Sequence, residues 1–148
     1  MKYGNYKNDK KHYSDVYELW LSCKGMGLNN LDDSEQGINR FLERNPDTCF
    51  VAFEDNKVVG VIMAGSDGRR GYIYHTAVNL LYRKRGIATA LVETVMQAMK
   101  NIGINKVALV VFEHNESGNK FWERLGFTER NDLVYRNKAI NEMIRNDT

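Results

Sequence analysis

The stretch VNLLYRKRGIATALV, residues 78–92, decides how the rest of this chain is interpreted. Its apolar start predicts the end of a β-strand, its basic middle predicts a short turn, and its last residues predict the opening of a long helix. The first four N–H groups of a helix have no intrahelical partner, and the helix dipole adds partial positive charge there. The start of this helix therefore predicts an anion site.

The turn favours an anion that carries more than one charge. Gly86 and Ala88 have little or no side chain where a phosphate would contact the backbone. Arg83, Lys84 and Arg85 add full positive charges beside them. A diphosphate fits these features better than a single carboxylate does.

The residues that follow the turn predict a second strand parallel to the first. Apolar residues recur at helical spacing from Gly86 to Gly103, and residues 107–112 form a nearly continuous apolar run. Such a run is typical of a strand that is buried on both faces. The intervening helix would make this strand parallel to strand 72–78, through a right-handed crossover.

The remaining patterns complete a mixed α+β domain. The predicted helices are 14–23, 33–45 and 115–125, and the predicted strands are 2–6, 48–53, 57–64, 127–129 and 133–137. Asp33, with Gln36 three positions later, forms a capping-box pattern at the start of the second helix. That cap explains Asp33 sufficiently, although Asp32 and Asp33 could also attract a cationic amine. Residues from about 139 to 148 form a polar tail.

Composition favours one globular domain over residues 1–148. A formal charge of +2 is too small to predict a nucleic-acid partner. No apolar run is long enough to span a membrane, so no membrane partner is predicted. Cys23 and Cys49 have no metal-ligand spacing and, in a chain without a signal peptide, predict reduced thiols in a cytoplasmic protein.

Three groups of residues together resemble the GNAT superfamily of N-acetyltransferases. Residues 83–88, Arg-x-x-Gly-x-Ala, resemble that family's pyrophosphate loop, which is Gln/Arg-x-x-Gly-x-Gly/Ala between a strand and a helix. Residues 76–78, Thr-Ala-Val, resemble the end of the preceding strand. Residues 115–127 resemble the family's next helix, which ends in Gly-Phe. The predicted order of elements extends the resemblance to nearly the whole chain.

The resemblance implies a GNAT-like fold with the order β-α-α-β-β-β-α-β-α-β-β. Its two parallel central strands, here 72–78 and 107–112, begin paired and then splay apart. Splayed strands leave backbone N–H and C=O groups unpaired, and a peptide-like pantetheine arm can satisfy them as a neighbouring strand would. The implied cosubstrate is acetyl-CoA, without a metal.

The resemblance also implies which residues bind the cosubstrate. Backbone groups of Val78 and Leu80 would contact the acetyl and pantetheine groups, and the amides of residues 83–89 would bind the pyrophosphate. Asn115 matches a position near the thiol end, and Trp122 would pack beside the cofactor. The implied set is Val78, Leu80, Arg83, Lys84, Arg85, Gly86, Ile87, Ala88, Thr89, Asn115 and Trp122.

The implied reaction is acyl transfer from a thioester to a primary amine. A base must take a proton from the amine, which is protonated at neutral pH, and the Val78 amide would stabilise the oxyanion. Many family members protonate the leaving thiolate with a tyrosine at the position that Trp122 occupies here. An indole does not titrate, so the usual general acid is in doubt. A thiol with a pKa of about 8.5 is a tolerable leaving group without help.

Strand 72–78 offers two candidates for proton transfer. Tyr74 is the first choice, because it shares a strand face with Tyr72 and Thr76, and it would donate a proton to sulfur or belong to a water chain. His75 has the better chemistry for a base, but it has the wrong parity unless a β-bulge re-aims it. Glu113 is the remaining candidate, and a solvated loop carboxylate is its simpler interpretation.

We therefore predict an acetyl-CoA-dependent N-acetyltransferase that acts by direct attack in a ternary complex. The alternative is a non-catalytic acyl-CoA-binding or sensor protein with the same fold. The acceptor would be a small-molecule amine or an amine of a peptide or protein, and the sequence does not decide between them. The oligomeric state is also open, with a homodimer as the candidate assembly.

Overall fold

The computed structural model describes residues 1–7 and 9–145. Its strands are β1 (Lys2–Asn5), β2 (Phe50–Glu54), β3 (Lys57–Ser66), β4 (Gly71–Val78) and β5 (Val107–Ala108). Its helices are α1 (Lys10–Ser22), α2 (Glu35–Arg44), α3 (Ile87–Asn101) and α4 (Glu116–Arg124), with a short 3-10 turn at Leu80–Tyr82. None of the described helices is long and apolar enough to cross a membrane.

The described strands form one mixed sheet in the order β1-β2-β3-β4-β5. Neighbours from β1 to β4 are antiparallel, whereas β4 and β5 are parallel. The long helix α3 connects the parallel pair, as the apolar periodicity after Gly86 predicts. This arrangement confirms the predicted α+β class.

Each face of the sheet carries its own apolar core. Trp20 of α1 and Ile38 of α2 are buried in the core on one face, together with Val61 of β3. On the other face, Leu91 and Val95 are fully buried among residues of α3 and the sheet. Their four-residue spacing lines one stripe of α3, and burying such a stripe is what stabilises an amphipathic helix.

The parallel strands pair only at their beginnings. Gly71 lies opposite Val107 and Tyr72 lies opposite Ala108, where the recorded pairing ends. The predicted strand 107–112 is therefore shorter than expected, and it is not buried on both faces, since Val110 is 60% exposed. Without a ladder partner, the apolar run beyond Ala108 has no sheet to bury it. The two central strands splay apart, as predicted.

The structure differs from the predicted order after α4. Residues 127–129 and 133–137 were expected to form a closing hairpin, yet neither segment is a strand. Residues 128–145 are exposed, and Leu133 and Val134 are 62% and 75% exposed. The β-propensity of short apolar segments depends on cross-strand and same-face packing, which this segment lacks.

The C-terminal segment returns to the loop between α1 and α2. The Asn30 N–H donates to the Ile144 carbonyl at 3.0 Å, and the Ile144 N–H donates to the Asn30 Oδ1 at 2.6 Å. Arg145 forms an isolated antiparallel bridge with the same loop. The predicted polar tail is thus tied down as far as Arg145, and its residues 146–148 lie outside the described residues.

Candidate active site

The basic turn leaves the first amides of α3 open. Gly86 is the N-cap residue with a φ of 79°, a region that favours glycine, and no side chain caps the helix. A Cβ at Gly86 would meet no atom within 4 Å. The first intrahelical bond runs from the Ala90 N–H to the Gly86 carbonyl at 3.0 Å, so the amides of residues 87–89 have no acceptor within the helix. This is the geometry that the predicted anion site requires.

The three basic side chains of the turn differ in what they contact. Arg83 turns back to β4, where its Nε donates to the Val78 carbonyl at 3.2 Å. The Arg85 guanidinium lies over the Tyr82 ring at 4.9 Å from its centroid. Lys84 is exposed and has a φ of 63°. Arg83 therefore ties the turn to the strand, whereas Lys84 is the cation best placed to attract a phosphate.

We expect Arg83→Met to destabilise the fold and Lys84→Met to leave its stability unchanged. Losing the charged donor to the Val78 carbonyl should lower the free energy of unfolding by about 1–2 kcal/mol, as for other hydrogen bonds from charged groups. Lys84→Met removes the same charge from an exposed position and should change stability by less than about 0.5 kcal/mol. Urea unfolding monitored by circular dichroism measures both. Equal stability of the two variants would contradict the tether.

The end of β4 presents its backbone to the gap beside β5. Gly60 and Val78 are directly opposite, and the Asn79 N–H donates to the Val59 carbonyl at 2.8 Å. In an antiparallel ladder, such a bond flanks a non-hydrogen-bonded pair, so the Val78 N–H and C=O point away from β3. The Val78 N–H thus faces the side where the acetyl group is predicted to lie. Leu80 follows at the start of the 3-10 turn and is exposed.

A β-bulge interrupts the alternation of β4. Val61 of β3 lies opposite Ala77, whereas Met63 lies opposite Tyr74. Two steps along β3 therefore correspond to three steps along β4, and the extra residue falls at positions 75–76. This is the condition under which His75 was expected to be re-aimed.

The bulge places Tyr74 and His75 on the same face of the sheet. The Tyr74 ring meets the edge of Phe41 of α2 at a centroid distance of 5.5 Å. The His75 ring meets the edge of Trp20 of α1 at 5.0 Å. Both helices cover the same side of the sheet, so simple alternation fails here. The structure brings together the two residues that were predicted to be catalytic.

Asp33, which was predicted to cap α2, contacts His75 instead. It is 3% exposed, and its Oδ1 lies 2.6 Å from the His75 Nε2. Its Oδ2 accepts a hydrogen bond from the Asn29 N–H at 2.8 Å. The cap of α2 is Ser34, whose Oγ accepts from the Gly37 N–H at 3.0 Å. The capping-box prediction is wrong because the helix starts one residue later, which leaves Asp33 in the loop facing β4.

Tyr74 is suited to donate a proton. Partial burial raises the pKa of Tyr74 above its ordinary value, and the nearby Tyr135 and Asp32 add smaller contributions in the same direction. Burial likewise raises the pKa of Tyr72, whose ring lies 4.6 Å from that of Tyr74, to about 12. Both hydroxyl groups therefore stay protonated at neutral pH, where they can donate but not act as bases.

The other predicted residues lie at α4. Asn115 caps this helix, since its Oδ1 accepts from the Gly118 N–H at 3.0 Å. The Trp122 ring packs edge-on against Phe127 at 5.2 Å, as a packing residue would. Glu113 is exposed in the turn before the helix, which favours the solvated interpretation. A cofactor contact by Asn115 or Trp122 stays a prediction.

Cys49 does not add a nucleophile to the site. Burial raises the pKa of the Cys49 thiol to about 12, so this thiol is not an activated nucleophile. Within residues 1–7 and 9–145, no three His, Cys, Asp or Glu side chains are grouped to hold a metal ion.

An open cavity of about 460 Å³ lies between the start of α2 and the C-terminal segment. Asp32 and Arg40 on one side and Lys138 on the other are among its lining residues. Asp32 also contributes to the raised pKa of Tyr74. Asp32 and Ser34, which flank Asp33 in the chain, line this cavity, whereas Tyr74, His75 and Asp33 do not.

Comparison with known proteins gives consistent matches. Residues 13–127 match the model of the Acetyltransferase (GNAT) family. The chain is 33% identical over 130 residues to Acetyltransferase SG1711 of Sodalis glossinidius. This alignment covers 88% of this chain and 90% of that protein. Both matches include the basic turn and the bulged strand.

Solved structures have the same fold. The NatC complex bound to Gag peptide and CoA aligns with a TM-score of 0.75 at 21% identity, over 87% of this chain and 85% of that one. An aminoglycoside acetyltransferase, meta-AAC0020 from an uncultured soil metagenomic sample, in complex with trehalose, aligns with a TM-score of 0.74 at 19% identity, over 95% and 96% of the two chains.

Proposed function

The chain belongs to the GNAT family of acetyltransferases, and we propose that it transfers an acetyl group from acetyl-CoA to a primary amine by direct attack in a ternary complex. The observation that carries this proposal is the uncapped start of α3, which lies directly after the gap between β4 and β5. A cosubstrate with a pyrophosphate and a peptide-like arm fits these two features together.

The proposed binding mode assigns a part to each segment of the site. The amides of residues 87–89 bind the pyrophosphate, with Lys84 and Arg85 adding positive charge. The pantetheine arm lies in the gap, near Leu80, Asn115 and Trp122. The Val78 N–H donates to the thioester carbonyl. The CoA in the related NatC structure supports this choice of cosubstrate.

The proposed chemistry uses the two side chains brought together by the bulge. His75 takes a proton from the acceptor ammonium or attacking amine, whose nitrogen forms a bond to the acetyl carbon. The Val78 N–H stabilises the oxyanion that develops on the carbonyl oxygen. The carbon–sulfur bond then breaks, Tyr74 donates its proton to the CoA thiolate, and the Tyr74 oxygen regains a proton from solvent or, where an ammonium entered, from the acceptor nitrogen. Tyr74 thereby supplies the acid that Trp122 cannot.

The acceptor side of the site supports a cationic amine. Asp33 places a carboxylate beside His75, and Asp32 places one along the open cavity. The fold relatives include one bound to a peptide and one that is an aminoglycoside acetyltransferase, so both acceptor classes are reasonable. The choice between them, a cytoplasmic location and a homodimer stay predictions.

Calorimetric titration followed by thiol release tests the proposed function. The protein is titrated with acetyl-CoA and CoA, and the same sample is then assayed with kanamycin, spermidine, lysine and a peptide with a free N-terminus. We expect binding of both forms and thiol release that depends on an amine. Failure to bind would overturn the cosubstrate assignment, whereas binding without release from any amine would favour the non-catalytic acyl-CoA-binding alternative.

A further inference from the structure

We infer that Asp33 is a positioning residue: it holds the His75 ring so that Nδ1 is the nitrogen that takes the proton of the acceptor amine. The catalytic consequence of this inference rests on the proposed function, whereas the hydrogen bond between Asp33 and His75 does not. It assigns a positioning role to a residue for which the sequence indicated a helix cap or the attraction of a cationic amine.

The contact between the two side chains decides which ring nitrogen carries the proton. The Asp33 Oδ1 lies 2.6 Å from the His75 Nε2, and its Oδ2 already accepts from the Asn29 N–H. An ionised carboxylate can only accept hydrogen bonds, so Nε2 is the donor and carries the proton. In the neutral ring, Nδ1 is then the basic nitrogen.

The Nδ1 of His75 remains available for chemistry. It makes no hydrogen bond with another described residue, and it is not among the buried polar atoms that lack a partner. The ring itself is fixed by the edge of Trp20, whose indole N–H has no acceptor among the described residues. Trp20 therefore holds the ring by packing, and Asp33 provides its hydrogen bond.

Asp33 is itself held from two sides. The Asp33 carboxylate accepts a hydrogen bond from the Asn29 N–H. The Asp33 backbone carbonyl accepts another from the Tyr13 hydroxyl at 2.8 Å. The carboxylate is 4% exposed and the His75 side chain 14% exposed. Burying a carboxylate costs free energy unless it is paired and hydrogen-bonded, and both conditions are met by the loop and the histidine.

The position of this pair matches the chemistry. His75 follows Tyr74 and precedes Val78 by three residues, so the base, acid and oxyanion donor come from one short segment of β4. Asp33 reaches this segment from the loop between α1 and α2, on the face opposite α3. Tyr74, whose ring lies 6.4 Å from that of His75, and Tyr13, which donates to the Asp33 carbonyl, also contact the pair. The acceptor side thus orients the base without contacting the pyrophosphate site.

A purely structural role would explain the same contact differently. In that case Asp33 would only join the loop to the sheet, and its loss would reduce stability and all activities alike. The positioning role predicts a defined ring tautomer, and it predicts a kinetic penalty only where a base is needed. The following two measurements separate these roles.

The tautomer is measured on the full chain without any ligand. Long-range ¹H–¹⁵N spectra of protein labelled in its three histidines, recorded at pH 8, should show the Nε2-protonated tautomer of His75. Comparison with His75→Gln assigns the signal. Asp33→Asn should lose this single tautomer, because its amide can donate to Nε2 as well as accept. A proton on Nδ1 in the parent protein would overturn the inference, and that result does not depend on acetyl-CoA binding.

The kinetic test uses two small amines of similar shape as probes. Ethylamine is protonated at neutral pH, whereas 2,2,2-trifluoroethylamine is largely unprotonated. With saturating acetyl-CoA, Asp33→Asn should lower turnover of ethylamine by about 10- to 100-fold, by analogy with the carboxylate partners of metal-ligating histidines. The loss with trifluoroethylamine should be much smaller, and the Kd for acetyl-CoA should not change.

Asp55→Asn is the matched control, since it makes the same substitution at an exposed residue in the turn between β2 and β3, outside the proposed site. It should keep the ratio of the two amine rates. An equal loss with both amines in Asp33→Asn would overturn the positioning role. If the parent protein uses neither amine, that result counts against the proposed function, and the tautomer measurement decides the present inference.

Discussion

Gly86→Asp is expected to weaken binding of acetyl-CoA by at least about 100-fold. The new carboxylate would project into the open space before residues 87–89, where the pyrophosphate is proposed to bind. Two like charges about 4 Å apart repel by about 4 kcal/mol at an intermediate dielectric, and about 1.4 kcal/mol corresponds to a tenfold change in Kd. Calorimetric titration with acetyl-CoA measures the loss directly.

Gly103→Asp separates the effect of charge from that of backbone strain. Gly103 follows the other end of α3, has a φ of 84°, and also has open space where a Cβ would be. It should therefore suffer the same conformational penalty but keep its affinity for acetyl-CoA. Gly86→Ala should lose only part of the affinity, since it adds strain without charge. Unchanged affinity in Gly86→Asp would exclude the start of α3 as the pyrophosphate site.

Local sequence patterns predicted those parts of the site whose residues are close together in the chain. The basic turn and the start of α3 were found because the free amides, the glycine and the charges all lie within residues 83–89. The parallel pairing of β4 and β5 followed from a strand, helix and strand in succession, whereas their splaying was implied by the resemblance to the GNAT superfamily. These features need no information about distant parts of the chain.

The proton-transfer groups depend on contacts that local patterns do not contain. The bulge in β4 is set by its pairing with β3, so strand parity alone gave His75 the wrong face. Asp33 and His75 are 42 positions apart, and the adjacent Ser34 is also a good cap residue. The signal that could have identified Asp33 was Ser34 itself, because a serine cap makes an aspartate cap unnecessary.

The closing hairpin failed for a related reason. Residues 127–129 and 133–137 have suitable strand composition, but a strand forms only where a ladder partner and a buried face are available. The structure records no pairing for them, and the segment that follows is held by the Asn30–Ile144 contacts instead. This return of the chain places Lys138 among the residues that line the open cavity.

His75→Gln is expected to lower kcat by about 10²- to 10⁴-fold, the usual contribution of a positioned general base. Glutamine keeps a hydrogen-bonding side chain of similar size at the bulge but cannot take a proton from the amine. The Kd for acetyl-CoA should stay unchanged, because the proposed pyrophosphate and pantetheine sites lie on the α3 side. Thiol release at saturating acetyl-CoA and calorimetric titration measure the two quantities.

His12→Gln provides the matched control for this substitution. His12 also contacts an aromatic ring, that of Phe53, and lies 3.6 Å from a carboxylate oxygen of Asp9. Phe53 belongs to β2, two strands away from β4, so replacement of His12 should leave kcat unchanged. A loss of kcat in His75→Gln that is no larger than that in His12→Gln would exclude His75 as the base. Proton removal would then fall to a water molecule held by Tyr74.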